Sequence, residues 1–331
     1  MEPLRWGILG CGDIAEKTFA PCLLHSPRCE LVAVSCRDGD RARAFAEKFH
    51  VPHWYSDDAA LLARSDIDAV VIATPPHVHH EQTLAAAAHG KHVLVEKPMA
   101  HFAAECREMI HACDEARVRL GVAYRRRLFP QVLRLQELIE EGAIGRVTLV
   151  REHYSGWMDV PPGDWRVDPE IAGGGALMDM ACHRLEVMLN VGGPATEVTA
   201  IVETLERDWQ VDDTGCLLLR FASGALGIHS TTLTSPPRHD TLQVEGTRGK
   251  LILDPLEHWA DCVRLVTPEG EQRIPVEPVT AEFQDLAMIE DFVTAVREER
   301  EPVCNAAAGL HTQEVITAAY ESARIRRAVA L

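Results

Sequence analysis

The chain has 331 residues and a formal net charge of −17, from 33 Lys+Arg against 50 Asp+Glu. With 47% hydrophobic and 25% charged residues it is composed like a folded globular protein, and it is long enough for two cores, so wholesale disorder is excluded. A negative charge of this size repels phosphate backbones and anionic bilayers, so neither nucleic acid nor membrane is an expected partner, although local fields can still hold a small anion.

The first 125 residues alternate two hydrophobic patterns. Short β-rich runs at Leu4–Leu9, Leu31–Ser35, Ala69–Ala73, His92–Val95 and Leu120–Ala123 are separated by helical stretches near Ile14–Leu24, Asp40–Phe49, His79–His89 and Ala103–Ala116. The runs are apolar without alternation, as strands buried on both faces are, so the pattern predicts an α/β domain with a doubly wound parallel sheet. The first strand enters Gly10-Cys11-Gly12-Asp13-Ile14-Ala15, a G-x-G-x-x-A version of the dinucleotide fingerprint. There Gly10 permits the tight turn, Gly12 the approach of a pyrophosphate, and Ala15 close helix–strand packing, with the phosphates on the helix N-terminus. NAD-binding folds place an acid at the end of the second strand. Here Cys36 stands at that place and is followed by Arg37 and Asp38. Arg37 suits a 2′-phosphate and favours NADP, while Asp38 leaves NAD open.

The strand His92–Val95 runs into Glu96-Lys97-Pro98. The carboxyl end of a buried strand is where ligands of doubly wound sheets bind, and a lysine there suits proton exchange. Tyr124 and Arg125–Arg127 follow the last strand of this series. One of them is expected to face the active site and the others to be solvated.

After Arg127 the rhythm changes. A helix fits Pro130–Glu141, and strand-like runs follow at Val147–Tyr154, Glu197–Leu205, Gly215–Ala222, Ala225–Leu233, Thr241–Val244, Lys250–Leu253, Val263–Val266 and Gln272–Val276. Tight polar turns between several of them suit hairpins, and helices at Ala281–Glu298 and Ala307–Ala328 close the chain. The expected second domain, residues 126–331, is α+β with a large, mostly antiparallel open sheet; residues 1–125 form the first. One helix, Ala176–Leu189, is entered through Gly173-Gly174-Gly175 and carries Asp179 and His183 four residues apart, hence on one face. Histidine as a residue type suits proton exchange with a substrate hydroxyl, which makes His183 a candidate, and Glu186 is placed to orient its imidazole. Just upstream, Trp165 and Arg166 are candidates for a sugar-binding platform.

Ten cysteines are scattered singly without a C-x-x-C pair, which reads as free thiols in a reducing cytoplasm. Leu4–Leu9 is too short for a secretory h-region and no apolar run reaches transmembrane length, which also points to the cytoplasm. His77, His79 and His80 lack a companion Cys or carboxylate cluster, so no metal site is expected.

Taken in order, Gly7–Ala15, Ala73-Thr74-Pro75-Pro76-His77-Val78-His79, Gly90–Pro98, Gly173–His183 and Val244-Glu245-Gly246-Thr247-Arg248-Gly249 resemble the Gfo/Idh/MocA family of NAD(P)-dependent oxidoreductases, related to glucose–fructose oxidoreductase and inositol dehydrogenase. The resemblance covers nearly the whole chain. It implies a Rossmann domain and a C-terminal domain whose open sheet pairs subunits into a homodimer or homotetramer. It implies that Lys97 and His183 handle the proton, that Asp179 binds or orients a polyol, and that Thr74, Pro75, His79 and Glu96 line the dinucleotide channel. Two positions depart from the family pattern: Glu186 stands where many members have Asp, and Pro76 where many have Asn. The expected activity is hydride transfer between a nicotinamide and a secondary alcohol or ketone of a sugar, cyclitol or related polyol. Two alternatives remain open here: redox-assisted glycosidic cleavage and a non-catalytic dinucleotide sensor.

Overall fold

The computed structural model describes residues 2–161 and 163–331 and divides into two compact units. The first runs through Arg125 and also takes Ala281–Leu310; the second comprises Arg126–Thr280 and His311–Leu331.

In the first unit, strands β1 (Leu4–Leu9), β2 (Cys29–Ser35), β3 (His53–Tyr55), β4 (Ala69–Ile72), β5 (His92–Val95) and β6 (Leu120–Val122) form one parallel sheet ordered β3-β2-β1-β4-β5-β6. The order reverses between β1 and β4, the crevice where open α/β sheets bind ligands. Every residue of β4 is buried, as are Trp6 and Ile8 of β1, which is why these strands read as unbroken apolar runs. The connecting helices are α1 (Ala20–His25), α2 (Gly39–Phe49), α3 (Asp58–Leu62), α4 (His79–Ala88) and α5 (Ala103–Ala116). Asp38 caps α2, its carboxylate accepting from the Asp40 and Arg41 amides, and Asp57 caps α3 in the same way.

In the second unit, α6 (Pro130–Glu140) precedes β7 (Val147–Trp157), α7 (Pro169–Ala172) and α8 (Cys182–Gly192). The remaining strands are β8 (Ala195–Glu203), β9 (Thr214–Phe221), β10 (Leu226–Thr232), β11 (Thr234–Gly246), β12 (Lys250–Leu253), β13 (Cys262–Thr267), β14 (Gly270–Pro275) and β15 (Val329–Ala330). They form a nine-stranded sheet ordered β14-β13-β12-β11-β7-β10-β9-β8-β15, antiparallel except where β10 pairs with β7. Along β9, Leu217, Leu219 and Phe221 turn inward while Cys216, Leu218 and Arg220 face out, the alternation of a sheet covered on one side only.

Helices α9 (Leu286–Arg297) and α10 (Ala306–Ile325) follow. The boundary at Arg125 coincides with the expected one, but Ala281–Leu310 packs with the first unit, not the second. The apolar face of α9 is the reason: Phe292 lies 5.5 Å from the Trp6 ring, and a side chain on Gly121 would meet Phe292 at 3.0 Å. Cys304 adds its carbonyl to the Val122 amide beside β6.

Candidate active site

The glycine loop follows β1. Gly10 has φ +96°, and a Cβ there would stand 2.8 Å from the Ala73 carbonyl oxygen, so no other residue fits. Gly12 is different: an added Cβ would meet only that oxygen, at 4.0 Å. Packing does not demand this second glycine, and the open space above it is what a pyrophosphate needs. The helix that follows begins with a π turn, Ala15–Phe19, and Ala15 is fully buried against the sheet. Asp13 is exposed and pairs with Lys17 at 2.6 Å, one turn on. Ile14 leads into the π turn, its carbonyl accepting from the Thr18 hydroxyl at 2.9 Å.

At the end of β2 the Asp38 carboxylate is committed to capping α2, while Arg37 is exposed. Sequence reasoning missed Arg41, whose guanidinium donates to the Cys11 carbonyl at 3.0 Å and so stands against the glycine loop. Helical spacing from the Asp38 cap was the signal that could have found it.

Thr74 and Pro75 follow β4. The Thr74 hydroxyl donates to Gln82 Oε1 (2.5 Å), Gln82 Nε2 to Asp58 Oδ2 (2.6 Å), and the Ser35 hydroxyl to Asp58 Oδ1 (2.5 Å). This chain ties the loops after β2 and β4 to α3 and α4. His79, expected to line the dinucleotide channel, is wholly buried, with its ring nitrogens 2.9 Å from the Thr74 carbonyl and 3.0 Å from the Pro98 carbonyl. Burial pushes its pKa down to about 4, so the ring is neutral between the two loops and donates to one of these carbonyls. His80 pairs with Glu108. Among the described residues no group of three or more His, Cys, Asp or Glu side chains is placed to hold a metal ion.

Glu96 and Lys97 leave the carboxyl end of β5, with a cis peptide between Lys97 and Pro98. Glu96 is buried; one oxygen accepts from the Lys97 amide at 2.9 Å and the other has no hydrogen-bond partner. Burial pushes its carboxyl up to about 7 against the opposing pull of Lys97 and Arg125. Tyr124 is buried after β6.

Of Tyr124 and the three arginines that follow it, one was expected to face the active site and the others to be solvated, but each arginine meets a carboxylate. Arg125 pairs with the fully buried Asp285 at 3.5 Å within the first unit. Arg126, itself buried, reaches Asp240 (3.3 Å) and Glu257 (3.0 Å) in the second, and Arg127 bonds Glu186 at 2.5 Å. A 3₁₀ turn over Arg125–Leu128 points successive side chains in different directions, and each finds a carboxylate distant in sequence.

In the second unit Asp179 lies in another π turn, Leu177–Ala181, which continues into α8 with His183 in its first turn. Asp179 is half-buried and His183 buried. Single π turns frequently mark functional sites, and here one follows each glycine-rich segment. The triple glycine is fixed by Asp212, whose carboxylate accepts from the Gly175 and Leu177 amides, both at 2.8 Å, and from the Tyr320 hydroxyl at 2.7 Å. A methyl on Gly175 would collide with the Asp212 backbone, and one on Gly174 with the Tyr320 hydroxyl. Asp212 and Tyr320, far from the glycines in sequence, were not foreseen. Glu186 is held by Arg127 rather than by the imidazole partnership its spacing suggested; its second oxygen has no hydrogen-bond partner, and burial pushes its carboxyl up to about 7. Trp165 and Arg166 are half-buried and stacked on each other, with the guanidinium 4.7 Å from the ring centre and anchored by Asp164.

A β-strand, glycine loop and helix at the switch point of a parallel sheet, with a lysine at the carboxyl end of β5 two strands away, are the arrangement of a dinucleotide-binding fold. Comparison with known proteins narrows the class. Residues 4–124 match the oxidoreductase family with an NAD-binding Rossmann fold, Gfo/Idh/MocA, and residues 132–252 match the C-terminal domain of the same family. The chain is 30% identical to D-xylose 1-dehydrogenase (NADP(+)) 2 of Haloferax volcanii, over 99% of this chain and 100% of that protein. It is 33% identical to oxidoreductase P35 of Formosa agariphila over 200 residues, which is 59% of this chain and 62% of that one. Among solved structures, levoglucosan dehydrogenase in complex with NADH and levoglucosan superposes with a TM-score of 0.92 at 25% identity, covering 99% of both chains. The chain belongs to the Gfo/Idh/MocA family, and it is an NAD(P)-dependent oxidoreductase acting on CH–OH groups.

Proposed function

We propose that the substrate is a free sugar or closely related polyol, that NADP is the preferred dinucleotide, and that Lys97, His183 and Asp179 carry the chemistry. The relatives are named sugar dehydrogenases and reductases, which favours net redox over glycosidic cleavage. The observation that carries the cofactor reading is the end of β2. The Asp38 carboxylate is spent as a helix cap and the Asp58 carboxylate accepts from Ser35 and Gln82, while Arg37 is exposed and Arg41 reaches the glycine loop. Two guanidinium groups beside carboxylates that are already engaged suit a 2′-phosphate better than a 2′-hydroxyl.

The dinucleotide, when bound, supplies or accepts the hydride. The protein's task is the proton and the position of the alcohol. In the oxidative direction His183 or Lys97 accepts the hydroxyl proton, and the Lys97 ammonium stabilises charge developing on the carbonyl oxygen. Asp179 accepts from a substrate hydroxyl and fixes which carbon is presented, and Trp165 offers an aromatic face to sugar C–H groups. The free state of all ten cysteines suits a reducing cytoplasm, and no helix among the described residues is long and apolar enough to cross a membrane. The outward face of the nine-stranded sheet exposes Ile201, Leu218, Leu226 and Ile228, a patch that suits pairing of subunits.

The test is a panel of aldoses, ketoses, cyclitols and anhydrosugars assayed in parallel with NAD and NADP. Turnover of a sugar with a higher kcat/KM for NADP supports the reading. Preference for NAD overturns the cofactor assignment, and turnover of only non-sugar alcohols overturns the substrate assignment.

A further inference from the structure

Three successive amides open the π turn and helix that carry Asp179 and His183, and a single residue from elsewhere in the second unit accepts from all of them. The buried Asp212 carboxylate takes the Gly175 amide on Oδ1 and the Leu177 amide on Oδ2, both at 2.8 Å. Its main-chain carbonyl takes the Ala176 amide between them, also at 2.8 Å. The first N–H groups of a helix have no partner within it, so a carboxylate here satisfies them and opposes the positive end of the helix dipole. Asp212 is in turn fixed from α10, where the Tyr320 hydroxyl donates to its Oδ1 at 2.7 Å. Burial, with the Asp212 carboxylate beside it, pushes the Tyr320 phenol well above its ordinary pKa, so the hydroxyl remains a donor. The fit leaves no slack, since a methyl on Gly175 would collide with the Asp212 backbone and one on Gly174 with the Tyr320 hydroxyl. A local residue would suffice to cap a helix. Here the acceptor stands 37 positions beyond Gly175, and its own anchor another 108 beyond that.

We propose that Asp212 and Tyr320 are positioning residues for Asp179: their clamp on the Gly175–Leu177 amides sets where the π turn begins and so the place from which Asp179 presents its carboxylate to a substrate hydroxyl. The connection is short. Leu177, the last amide held, is the first residue of the π turn, and the Asp179 amide donates to the Gly175 carbonyl at 2.8 Å. Gly175 is therefore gripped on its N–H by Asp212 and on its carbonyl by Asp179. Asp212 leads directly into β9, so the clamp refers the turn to the sheet on one side and to α10 on the other. Hydride and proton transfer demand reacting groups held close to one geometry, and a misplacement of about 1 Å can cost about 10²-fold in rate.

The inference rests on the substrate-orienting role given to Asp179, and its test separates the two. Tyr320→Phe removes one hydroxyl and keeps the ring. In the full chain, with the best sugar of the panel, it is expected to lower kcat by about 5- to 50-fold while NADPH affinity, read by fluorescence titration, stays within about twofold. Asp212→Asn, which replaces one accepting oxygen by an amide nitrogen, should lose more. Ser322, two residues on in α10, accepts from the Ala200 amide at 3.0 Å and donates to the Arg327 carbonyl at 2.6 Å. Ser322→Ala therefore loosens the same helix and should lower thermal stability with kcat unchanged. In an Asp179→Asn background Tyr320→Phe should cost no more than about a further twofold, because the group it positions is already altered, whereas a general defect multiplies through. Multiplied losses in the double variant, or an equal fall in kcat for Ser322→Ala, overturn the proposal. If Asp212→Asn fails to fold, Tyr320→Phe decides. Parental turnover in Asp179→Asn sinks the reading of Asp179 and the clamp's role with it; parental turnover in Tyr320→Phe beside an impaired Asp179→Asn sinks the clamp's role alone.

Discussion

Gly10→Ala and Gly12→Ala differ in what the added methyl meets. At Gly10 the backbone has φ +96°, which no L-residue adopts comfortably, and the Cβ falls 2.8 Å from the Ala73 carbonyl oxygen and 2.9 Å from the Thr74 methyl. The backbone term costs about 1–2 kcal/mol and the overpacking about 1–3 kcal/mol, since a main-chain carbonyl on the sheet cannot step aside. A loss of about 2–5 kcal/mol corresponds to roughly 5–15 °C in the first unit's unfolding transition. At Gly12 φ lies outside the left-handed range and the nearest atom is 4.0 Å away, so the methyl is accommodated. Stability there is expected to stay level or rise by about 0.5 kcal/mol through the unfolded chain. The same methyl occupies the pyrophosphate's approach, so dinucleotide affinity should fall by more than about tenfold, the equivalent of one lost charge-assisted hydrogen bond. Thermal unfolding without ligand and a fluorescence titration with NADPH separate the two effects. A Gly12→Ala protein that binds NADPH like the parent, or that loses as much stability as Gly10→Ala, would refute this reading of the loop.

Lys97→Met should leave NADPH affinity within about threefold and lower kcat by about 10²–10⁴-fold; retention of a tenth of the parent's turnover of its best sugar removes the residue from the mechanism. Arg41→Ala combined with Arg37→Ala should raise KM for NADP by about tenfold or more while leaving NAD nearly unchanged, and equal effects on both cofactors would dismiss the 2′-phosphate contact. Charges on the outward sheet face, Ile201→Glu with Leu218→Glu, should convert an oligomer to monomer in light scattering without loss of the folded signal, and an unchanged mass assigns pairing elsewhere. The Glu186 carboxyl binds its proton up to about pH 7 when folded but only to the usual 4.5 when unfolded, so the stability it lends is present below 4.5 and is lost as pH rises toward 7. Glu186→Gln cannot titrate, so its stability relative to the parent should improve by about 1–3 kcal/mol between pH 5 and pH 8 in urea titrations, and a difference that ignores pH would refute the assignment.

What the sequence displayed was local. Val70-Val71-Ile72 and Val93-Leu94-Val95 are buried on both faces, so hydrophobicity alone marks them as strands, and β5 begins and ends where the apolar run does. By contrast β3, His53-Trp54-Tyr55, is a three-residue edge strand with two exposed side chains, and it carries no such signal. The helix expected over Ile14–Leu24 is real, but its first turn is π rather than α, and the same holds at Leu177–Ala181. A period of 3.6 cannot reveal a local insertion, because the turns on either side keep the apolar face in phase. The glycine-rich segments themselves were legible. The groups that require the glycines were not, since Ala73, Asp212 and Tyr320 become neighbours only through the fold.

The arginine run shows most plainly where charge reasoning from sequence stops. In a chain of net charge −17, most of the three adjacent arginines were expected to be solvated. The fold does the opposite: Arg125, Arg126 and Arg127 are all drawn toward buried carboxylates, Asp285, Asp240 with Glu257, and Glu186. An unpaired carboxylate in the interior is far more costly than an exposed one, so the scarce cations go to the buried sites and the surplus acid stays on the surface. The unit boundary falls between Arg125 and Arg126, and the partners divide accordingly, Asp285 in the first unit and Asp240, Glu257 and Glu186 in the second. Each arginine therefore anchors the unit to which its carboxylate belongs. Charge reversal at any of the three should accordingly damage folding, whereas reversal of Arg43, whose partner Asp40 is almost fully exposed, should change stability by no more than about 0.5 kcal/mol.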